Sequence, residues 1–118
     1  MSQTIPKDLF RYFTTSVALI TTLGKAGPNV MAAEWTMQVS SEPMLIAVFI
    51  APNEVTHENI ESTGEFGVNF CSDDQATLSN VAGAFSRREV DKLSFSLFQT
   101  YLGDTIKVPM IKGSIINA

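Results

Sequence analysis

The chain has 118 residues, of which 45% are apolar and 17% are charged, and its formal net charge is -4. This size and composition are typical of one globular domain and exclude a disordered chain. Lys and Arg are scattered apart from one Arg pair, so no nucleic-acid partner is expected, because duplex binding requires clustered cations. An anionic small molecule can still bind, since a pocket can concentrate positive charge on an acidic protein.

Cysteine content and hydropathy indicate the compartment. Cys71 is the one cysteine, so no intrachain disulfide can form and a reduced cytosolic setting is the simplest interpretation. The longest apolar run, Met44–Ala51, is too short to cross a bilayer. The N-terminus also lacks the pattern of a signal peptide. A cytoplasmic protein without a membrane partner is therefore expected.

The first half of the chain reads mainly as strands. A short helix is predicted over Pro6–Phe13, with Pro in its first turn. Ser16–Thr22 and Asn29–Ala33 flank a Gly- and Pro-containing turn and predict a hairpin. Trp35–Ser41 has poor periodicity and is interpreted as irregular chain crossing a surface or cleft. The continuous apolar run Met44–Ile50 predicts a strand that is buried on both faces.

A polar segment follows that run. Asn53–Glu61 is predicted to be a loop leading into a short helix, with either Asn53 or Thr56 as its cap. Gly64 is expected to end this helix, because glycine readily adopts the left-handed conformation found after helices. The alternating segment Glu65–Phe70 then predicts a strand.

A second helix is expected next. Ser72 and Asp73 are its predicted caps, and the helix is predicted to run through Asn80. Leu78 and Val81 share one face of this helix, which we expect to be the buried one.

The last third of the chain has weaker signals. Ala84–Lys92 is predicted to be a polar loop or ragged helix end, and Leu93–Leu102 an extended or irregular segment. Ile106–Ile111 and Gly113–Ile116 are predicted to be the last short strands. Strands outnumber helices, so the predicted fold class is mainly β, an open or closed barrel with helices at its ends.

Several catalytic signatures are absent from the sequence. It has no dinucleotide-binding glycine motif, no Walker A loop and no nucleophile elbow. His57 is the one histidine, which excludes any site that needs two imidazoles, and no metal site is predicted. Without a metal or hydrolase signature, such a domain can do its chemistry with an organic cofactor.

Segment 29–41 has residues suited to a planar cofactor ring. Small side chains let the backbone approach a ring, an aromatic side chain offers a stacking face, and hydroxyls offer hydrogen bonds. The alternative interpretation is the end of a strand with one buried Trp, which composition alone favours. The candidate residues are Ala32, Ala33, Trp35, Thr36 and Ser40.

Two further segments have residues suited to a phosphate. Asn53, Thr56 and Asn59 gather polar groups at a predicted helix start, although ordinary helix capping is the favoured explanation when this segment is taken alone. Ser86, Arg87 and Lys92 can reach an anion, although a solvated charged loop with weak ion pairs is the simpler alternative. None of the three segments is specific by itself.

Taken in order, these segments resemble the flavin reductase-like family, which has the FMN-binding split barrel and includes flavoredoxins and archaeal ferric or flavin reductases. The resemblance runs from about Phe10 to the end of the chain. It rests on four stretches, which are Asn29–Thr36, Val39–Val48, Thr56–Ile60 with Gly64–Asn69, and Phe85–Lys92.

The resemblance implies a site and an activity. It places residues Ala32, Ala33, Glu34, Trp35, Thr36 and Ser40 along the flavin ring and ribityl chain, Asn53, Thr56 and Asn59 by the phosphate, and Ser86, Arg87 and Lys92 in a loop that covers the FMN. It also implies a homodimer with flavins near the subunit interface. Electrons pass in such proteins from NAD(P)H through FMN to a flavin, a ferric complex or a protein acceptor. No general base is assigned.

One departure from the family concerns the C-terminal end. The family continues beyond the equivalent of Val108–Pro109 with more barrel strands, which commonly carry a Gly-Asp-His segment near the nicotinamide site, whereas this sequence stops at Ala118. The resemblance therefore implies a barrel that lacks strands. Three functions stay open, which are an NAD(P)H-dependent reductase, an FMN-binding electron carrier without NAD(P)H activity, and a non-flavin interaction domain on the same fold.

Overall fold

The computed structural model describes residues 8–9, 14–25 and 27–118. The predicted helix Pro6–Phe13 lies almost entirely outside these residues. Two short 3-10 turns, Asp73–Gln75 and Lys92–Ser94, accompany the regular elements. In chain order these elements are β1 (Ala18–Gly24), β2 (Gly27–Ala33), β3 (Thr36–Ser41), β4 (Met44–Val48), α1 (Val55–Thr63), β5 (Gly67–Phe70), α2 (Ala76–Ala84), β6 (Thr100–Leu102), β7 (Pro109–Ile111) and β8 (Ile116–Asn117).

The largest sheet has four antiparallel strands in the order β2-β1-β5-β8. Its first two strands form the predicted hairpin, in register from Ala18 opposite Ala33 to Gly24 opposite Gly27. Strand β1 is buried on both faces from Ala18 to Thr22. Alternate residues of a strand point to opposite sides, so Leu19 belongs to one core cluster and Ala18 to another. This hairpin is the platform on which both helices pack.

Strands β3 and β4 contradict two predictions. Trp35–Ser41 is not irregular, because β3 pairs along its length with β4 and has one bulge between Gln38 and Ser40. The apolar run of β4 is not buried on both faces, since Met44 is 59% exposed. The physical reason is that β3 and β4 form a separate two-stranded ribbon. A ribbon leaves one face open, whereas an apolar run is fully buried only when a layer covers each side.

Of the two predicted ends of helix α1, the C-terminal end is confirmed and the N-terminal cap is not. Its N-cap is Glu54, so both predicted caps, Asn53 and Thr56, are wrong. Thr56 instead lies inside the first turn, where it is 1% exposed and accepts a tertiary hydrogen bond. The helix ends at Gly64 as predicted, in the left-handed conformation with φ 71°. That conformation favours glycine, because a Cβ atom would crowd the backbone.

Helix α2 follows the predicted capping residues. The backbone N–H of Ser72 donates to Oε1 of Gln75 at 3.1 Å, as in a capping box. The α-helix runs from Ala76 to Ala84 and so continues past its predicted end at Asn80. The predicted inner face is confirmed, because Leu78 is buried and Val81 packs against the same cluster.

The C-terminal part adds short strands. Strands β6 and β7 pair with each other, and β8 pairs with β5 through only two residues. The predicted strand over Ile106–Ile111 is reduced to β7, and the one predicted over Gly113–Ile116 is found as β8, shifted towards the C-terminus. In the described ranges the strands lie in three sheets that do not close into a barrel. No helix in those ranges is long and apolar enough to cross a membrane.

Candidate functional site

A cavity of about 360 Å³ lies where β2, the start of α1 and the end of α2 meet. We call it the Lys92 cavity. It brings together residues from all three segments that the sequence singled out. Its lining consists of Asn29, Met31, Ala32, Glu54, Val55, Thr56, Ala82, Gly83, Ala84, Phe85, Ser86, Arg87, Glu89 and Lys92.

Lys92 is the most unusual residue of this cavity. It is only 2% exposed, and its Nζ donates to the carbonyl oxygen of Ala82 at 2.9 Å. Burial lowers the pKa of Lys92 to about 8, while the charge of Glu54 raises the pKa and that of Arg87 lowers it further. The side chain therefore remains largely protonated at pH 7. A buried ammonium is costly unless an anion compensates it, so its position favours an anionic ligand.

The N-terminus of α1 adds positive potential to the same cavity. Val55 and Thr56, in its first turn, line the cavity, and Glu54 makes no side-chain capping hydrogen bond. The first backbone N–H groups of a helix have no partner within it, and the aligned peptide dipoles favour an anion there. A helix start, a buried ammonium and a guanidinium in one cavity form a donor set suited to a phosphate.

Asn29 supplies a polar atom that lacks a partner. Its side chain is 3% exposed, and its Nδ2 donates to Oγ1 of Thr56 at 3.0 Å. Its Oδ1 is buried and has no hydrogen-bond partner among the described residues. The oxygen and nitrogen of an amide are assigned from the hydrogen bonds they make, and in either orientation one polar atom stays unsatisfied. Buried polar atoms are rarely left so, and a hydroxyl-rich ligand can pair with it.

The loop after α2 is folded by its own hydrogen bonds. The backbone N–H of Ser86 donates to Oε2 of Glu89 at 3.2 Å. Arg87 is anchored to the hairpin, with its Nε donating to the carbonyl oxygen of Pro28 at 3.4 Å, and it lies 3.6 Å from the carboxylate of Asp91. Arg88 reaches Glu58 of α1 at 3.2 Å. The loop therefore holds Arg87 over the Lys92 cavity and is tied to α1.

A second cavity adjoins the first. It has a volume of about 450 Å³ and shares Val55 and Arg87 with the Lys92 cavity. We call it the basic cavity. Its lining consists of Lys25, Val55, Glu58, Asn59, Ser62, Arg87 and Arg88.

Asn59 lies in the basic cavity and not in the Lys92 cavity. It is 6% exposed, and its Nδ2 donates to Oγ1 of Thr22 at 3.0 Å, which ties α1 to β1. A Cβ atom on Gly24 would overlap the Asn59 side chain. Glycine at that position therefore permits the close approach of α1 to the hairpin.

A third cavity is apolar and lies on the opposite side of α1. It has a volume of about 530 Å³, and Trp35, Phe49 and Phe66 supply its aromatic surface. Trp35 is 56% exposed, so the alternative of a buried Trp is wrong. His57 borders this cavity, with its Nδ1 3.6 Å from the carboxylate of Glu61. In the described part of the chain, no cluster of His, Cys, Asp or Glu has the arrangement of a metal site.

The structure thus sorts the predicted site residues into three groups. Five of them line one cavity, and two line the other cavities. Ala33 and Thr36 are buried, while Glu34, Asn53 and half-buried Ser40 do not line any of the three cavities. The five that meet are Ala32, Thr56, Ser86, Arg87 and Lys92.

Asn29 was missed as a site residue. It falls on a strand that otherwise reads as core, and its amide is the polar exception within that pattern. A buried polar residue on a predicted core strand is a signal that could have identified it. Lys25 and Arg88 were also missed, and exposed cations of this kind give no signal in a single sequence.

Comparison with known proteins identifies the fold. The family model described as "Flavin reductase like domain" matches residues 10–118. A protein of Rhizobium meliloti (strain 1021) named "Probable flavin reductase" is 32% identical over 89 residues, which cover 75% of this chain and 28% of that protein. The chain spans about half the length of the first curated relatives it matches.

Solved structures of flavin-binding proteins are also similar to this chain. Flavoredoxin from Methanosarcina acetivorans has a TM-score of 0.83 and 29% identity, covering 99% of this chain and 61% of that chain. An FMN-binding protein from Thermus thermophilus with bound p-hydroxybenzaldehyde has a TM-score of 0.85 and 26% identity, covering 99% of this chain and 65% of that one. These likenesses confirm the predicted fold class, which is mainly β with helices and of the split-barrel type.

Proposed function

The chain belongs to the flavin reductase-like family, and from this premise we propose that it binds FMN non-covalently as a flavin-dependent oxidoreductase domain. In this proposal the Lys92 cavity holds the phosphate. The observation that carries it is the buried Lys92 ammonium, which shares a cavity with Arg87 and the start of α1.

The polar residues of the cavity fit the rest of the cofactor. The ribityl chain of FMN carries hydroxyls, which can satisfy the unpaired amide atom of Asn29. Thr56 already accepts a bond from that amide, so its own hydroxyl hydrogen can be donated to the ligand. Ala32 is small and half-buried at the cavity wall, so its side chain permits a flavin ring to approach the backbone there.

The protein's contribution is binding and orientation. FMN supplies the redox chemistry when bound, by accepting and releasing electrons at its ring. Lys92 and Arg87 neutralise the phosphate, and Asn29 fixes the sugar-alcohol chain. We propose NAD(P)H as the electron donor and a flavin, a ferric complex or a protein as the acceptor. The likeness to a flavoredoxin favours a second candidate, an electron carrier without NAD(P)H activity.

The visible absorption spectrum of the purified chain tests the proposal. We expect a flavin spectrum, or its appearance and sharpening when FMN is added to colourless protein. A protein that binds no added FMN would refute both flavin functions and leave the non-flavin interaction domain. Steady-state oxidation of NADH and NADPH by the FMN-loaded protein then separates reductase from carrier, because a carrier shows no turnover with either nucleotide.

The pH dependence of FMN affinity provides a further test. The pKa of Lys92 is lowered to about 8 from an ordinary value of 10.5, and a phosphate binds the protonated form. Affinity should therefore be full below pH 8 and fall above it, by up to about tenfold per pH unit, until the pKa of the complex is reached. Titrations between about pH 7 and 9.5 measure this. The Lys92→Met variant should show no such decline, and a decline of equal size in that variant would assign it to another group.

We also propose that the chain forms a homodimer through the β3–β4 ribbon. Met37, Val39, Met44 and Leu45 of this ribbon are each about half exposed, and such apolar surface commonly marks an interface. Light scattering at increasing protein concentration should give twice the chain mass. A monomeric mass at all concentrations would contradict the proposal.

A further inference from the structure

The apolar cavity bordered by Trp35 has a wall formed by two aromatic rings. We call it the aromatic cavity. The backbone N–H of Phe49 donates to the carbonyl oxygen of Trp35 at 3.0 Å, which continues the pairing of β3 and β4 by one residue pair. Residues opposite each other in paired strands have neighbouring side chains on the same face, so the two rings lie side by side. Trp35 is 56% exposed and Phe49 is 60% exposed, which leaves both rings open to a ligand.

Helix α1 forms another wall of the aromatic cavity. His57, Ile60 and Glu61 line it, and their spacing of three and four residues places them on one face of the helix. Nδ1 of His57 lies 3.6 Å from the carboxylate of Glu61, so this pair borders the cavity together. Phe66, which follows the helix, adds a third ring and packs against one of the two core clusters. The cavity therefore combines three rings with one carboxylate.

The electrostatic potential at this cavity favours a cation. Glu61 contributes a carboxylate, and among the described residues no Lys or Arg belongs to the lining. Glu61 also lies in the last turn of α1, which has no basic residue. The C-terminus of a helix carries partial negative charge, so a carboxylate there is unfavourable unless a cation offsets it. A cation bound in the cavity would provide that charge.

The aromatic rings favour the same kind of ligand. The face of an aromatic ring is negative, so it attracts a cation placed over it, and Trp gives the strongest attraction. The volume of about 530 Å³ is that of a site for a small organic molecule. A bare metal ion does not fit this lining, because no cluster of His, Cys, Asp or Glu in the described ranges can hold one. The matching ligand is therefore an organic cation.

We propose that the aromatic cavity binds an organic ammonium ion with an apolar body, with the ammonium group between Glu61 and the rings of Trp35 and Phe49. The cavity shares no lining residue with the Lys92 cavity or the basic cavity, which lie on the other side of α1. The inference therefore goes beyond the proposed flavin function and does not depend on it.

Fluorescence titrations test this assignment, because Trp35 is the one tryptophan of the chain and reports binding in this cavity. The probe is benzyltrimethylammonium, and benzyl alcohol and phenylacetate are neutral and anionic compounds with the same ring. We expect the cation to bind about tenfold more tightly than either compound. Glu61→Gln should weaken cation binding about threefold and Phe49→Leu about fivefold, while benzyl alcohol affinity changes less than about twofold. Glu42→Gln, which removes an exposed carboxylate outside the cavity, is the matched control and should change neither affinity.

The contrary results are distinct. Equal affinity for the three compounds would overturn the inference and leave a plain apolar cavity, and so would unchanged cation affinity in Glu61→Gln. Displacement of benzyltrimethylammonium by added FMN would overturn it as well, because the flavin ring would then occupy the cavity. A fluorescence change on dilution of the protein, without a response to the cation, would assign the cavity to a contact with a second copy of the chain. A protein that binds the cation but no flavin would refute the proposed function and support this inference.

Discussion

Substitution of Lys92 by Met should weaken FMN binding about 100-fold and leave riboflavin binding unchanged. Lys92 is 2% exposed and lines the cavity assigned to the phosphate. A charged hydrogen bond in a water-poor site contributes about 1.5–3 kcal/mol, and the desolvated ammonium adds a Coulombic attraction to the phosphate. Riboflavin shares the ring and the ribityl chain with FMN but has no phosphate. Apoprotein titrations with both ligands therefore isolate the phosphate interaction.

Two controls accompany this variant. The exposed Lys112→Met should bind both ligands as wild type does, since Lys112 is outside the cavity. Chemical unfolding should show that Lys92→Met loses no more than about 1 kcal/mol, because it removes a buried charge along with one hydrogen bond to Ala82. Equal losses for FMN and riboflavin would indicate damage to the ring site or fold, and unchanged FMN affinity would place the phosphate elsewhere.

The sequence predicted those elements whose structure is determined by residues close to them in the chain. The hairpin of β1 and β2 follows from two apolar runs around a Gly- and Pro-containing turn, and Gly64 ends α1 because of its own backbone freedom. The inner face of α2 follows from helical periodicity, with Leu78 buried as expected. These features need no knowledge of the rest of the chain.

Features that depend on distant residues were not predictable in this way. Strand β3 has little strand character of its own and is a strand because β4 supplies its hydrogen-bond partners. The hydrogen bond from the amide of Asn59 to Thr22, 37 residues earlier in the chain, gives no signal in the local sequence around either residue. The burial of Lys92 depends on the packing of its loop against α2, and a charged residue in a polar segment gives no sign of it.

The family resemblance grouped residues that periodicity could not. It joined segments around Ala32, Thr56 and Arg87, and the structure brings these three into one cavity. It did not separate this cavity from the adjoining one, because that distinction depends on which side of α1 each residue faces. Residues about one turn apart on a helix can therefore line different cavities, as Thr56 does in the Lys92 cavity and Asn59 in the basic cavity.

Asn69→Ala should lower the free energy of unfolding by about 3 kcal/mol. Asn69 is fully buried, and its Nδ2 donates to the carbonyl oxygen of Leu19 at 2.9 Å and to Oγ1 of Thr21 at 3.2 Å. Its Oδ1 accepts from the backbone N–H of Ile111 at 2.8 Å and from Nδ2 of Asn117 at 2.6 Å. Alanine would leave buried groups on both sides without partners, which costs about 1–3 kcal/mol for each group that water cannot reach. Urea unfolding followed by circular dichroism measures the change.

Asn53→Ala is the matched control, because Asn53 is exposed and its removal should cost less than about 0.5 kcal/mol. Equal losses in the two variants would contradict the role assigned to Asn69. Hydrogen exchange locates the effect, since the backbone N–H of Ile115 donates to Phe70 and that of Ala118 donates to Val68. These two amides should lose protection in Asn69→Ala before the amides of β1 do, because Asn69 joins the C-terminal segment to a sheet that β2 still supports. Loss of protection at the same rate in both places would instead mean that the amide of Asn69 stabilises the whole sheet as one unit.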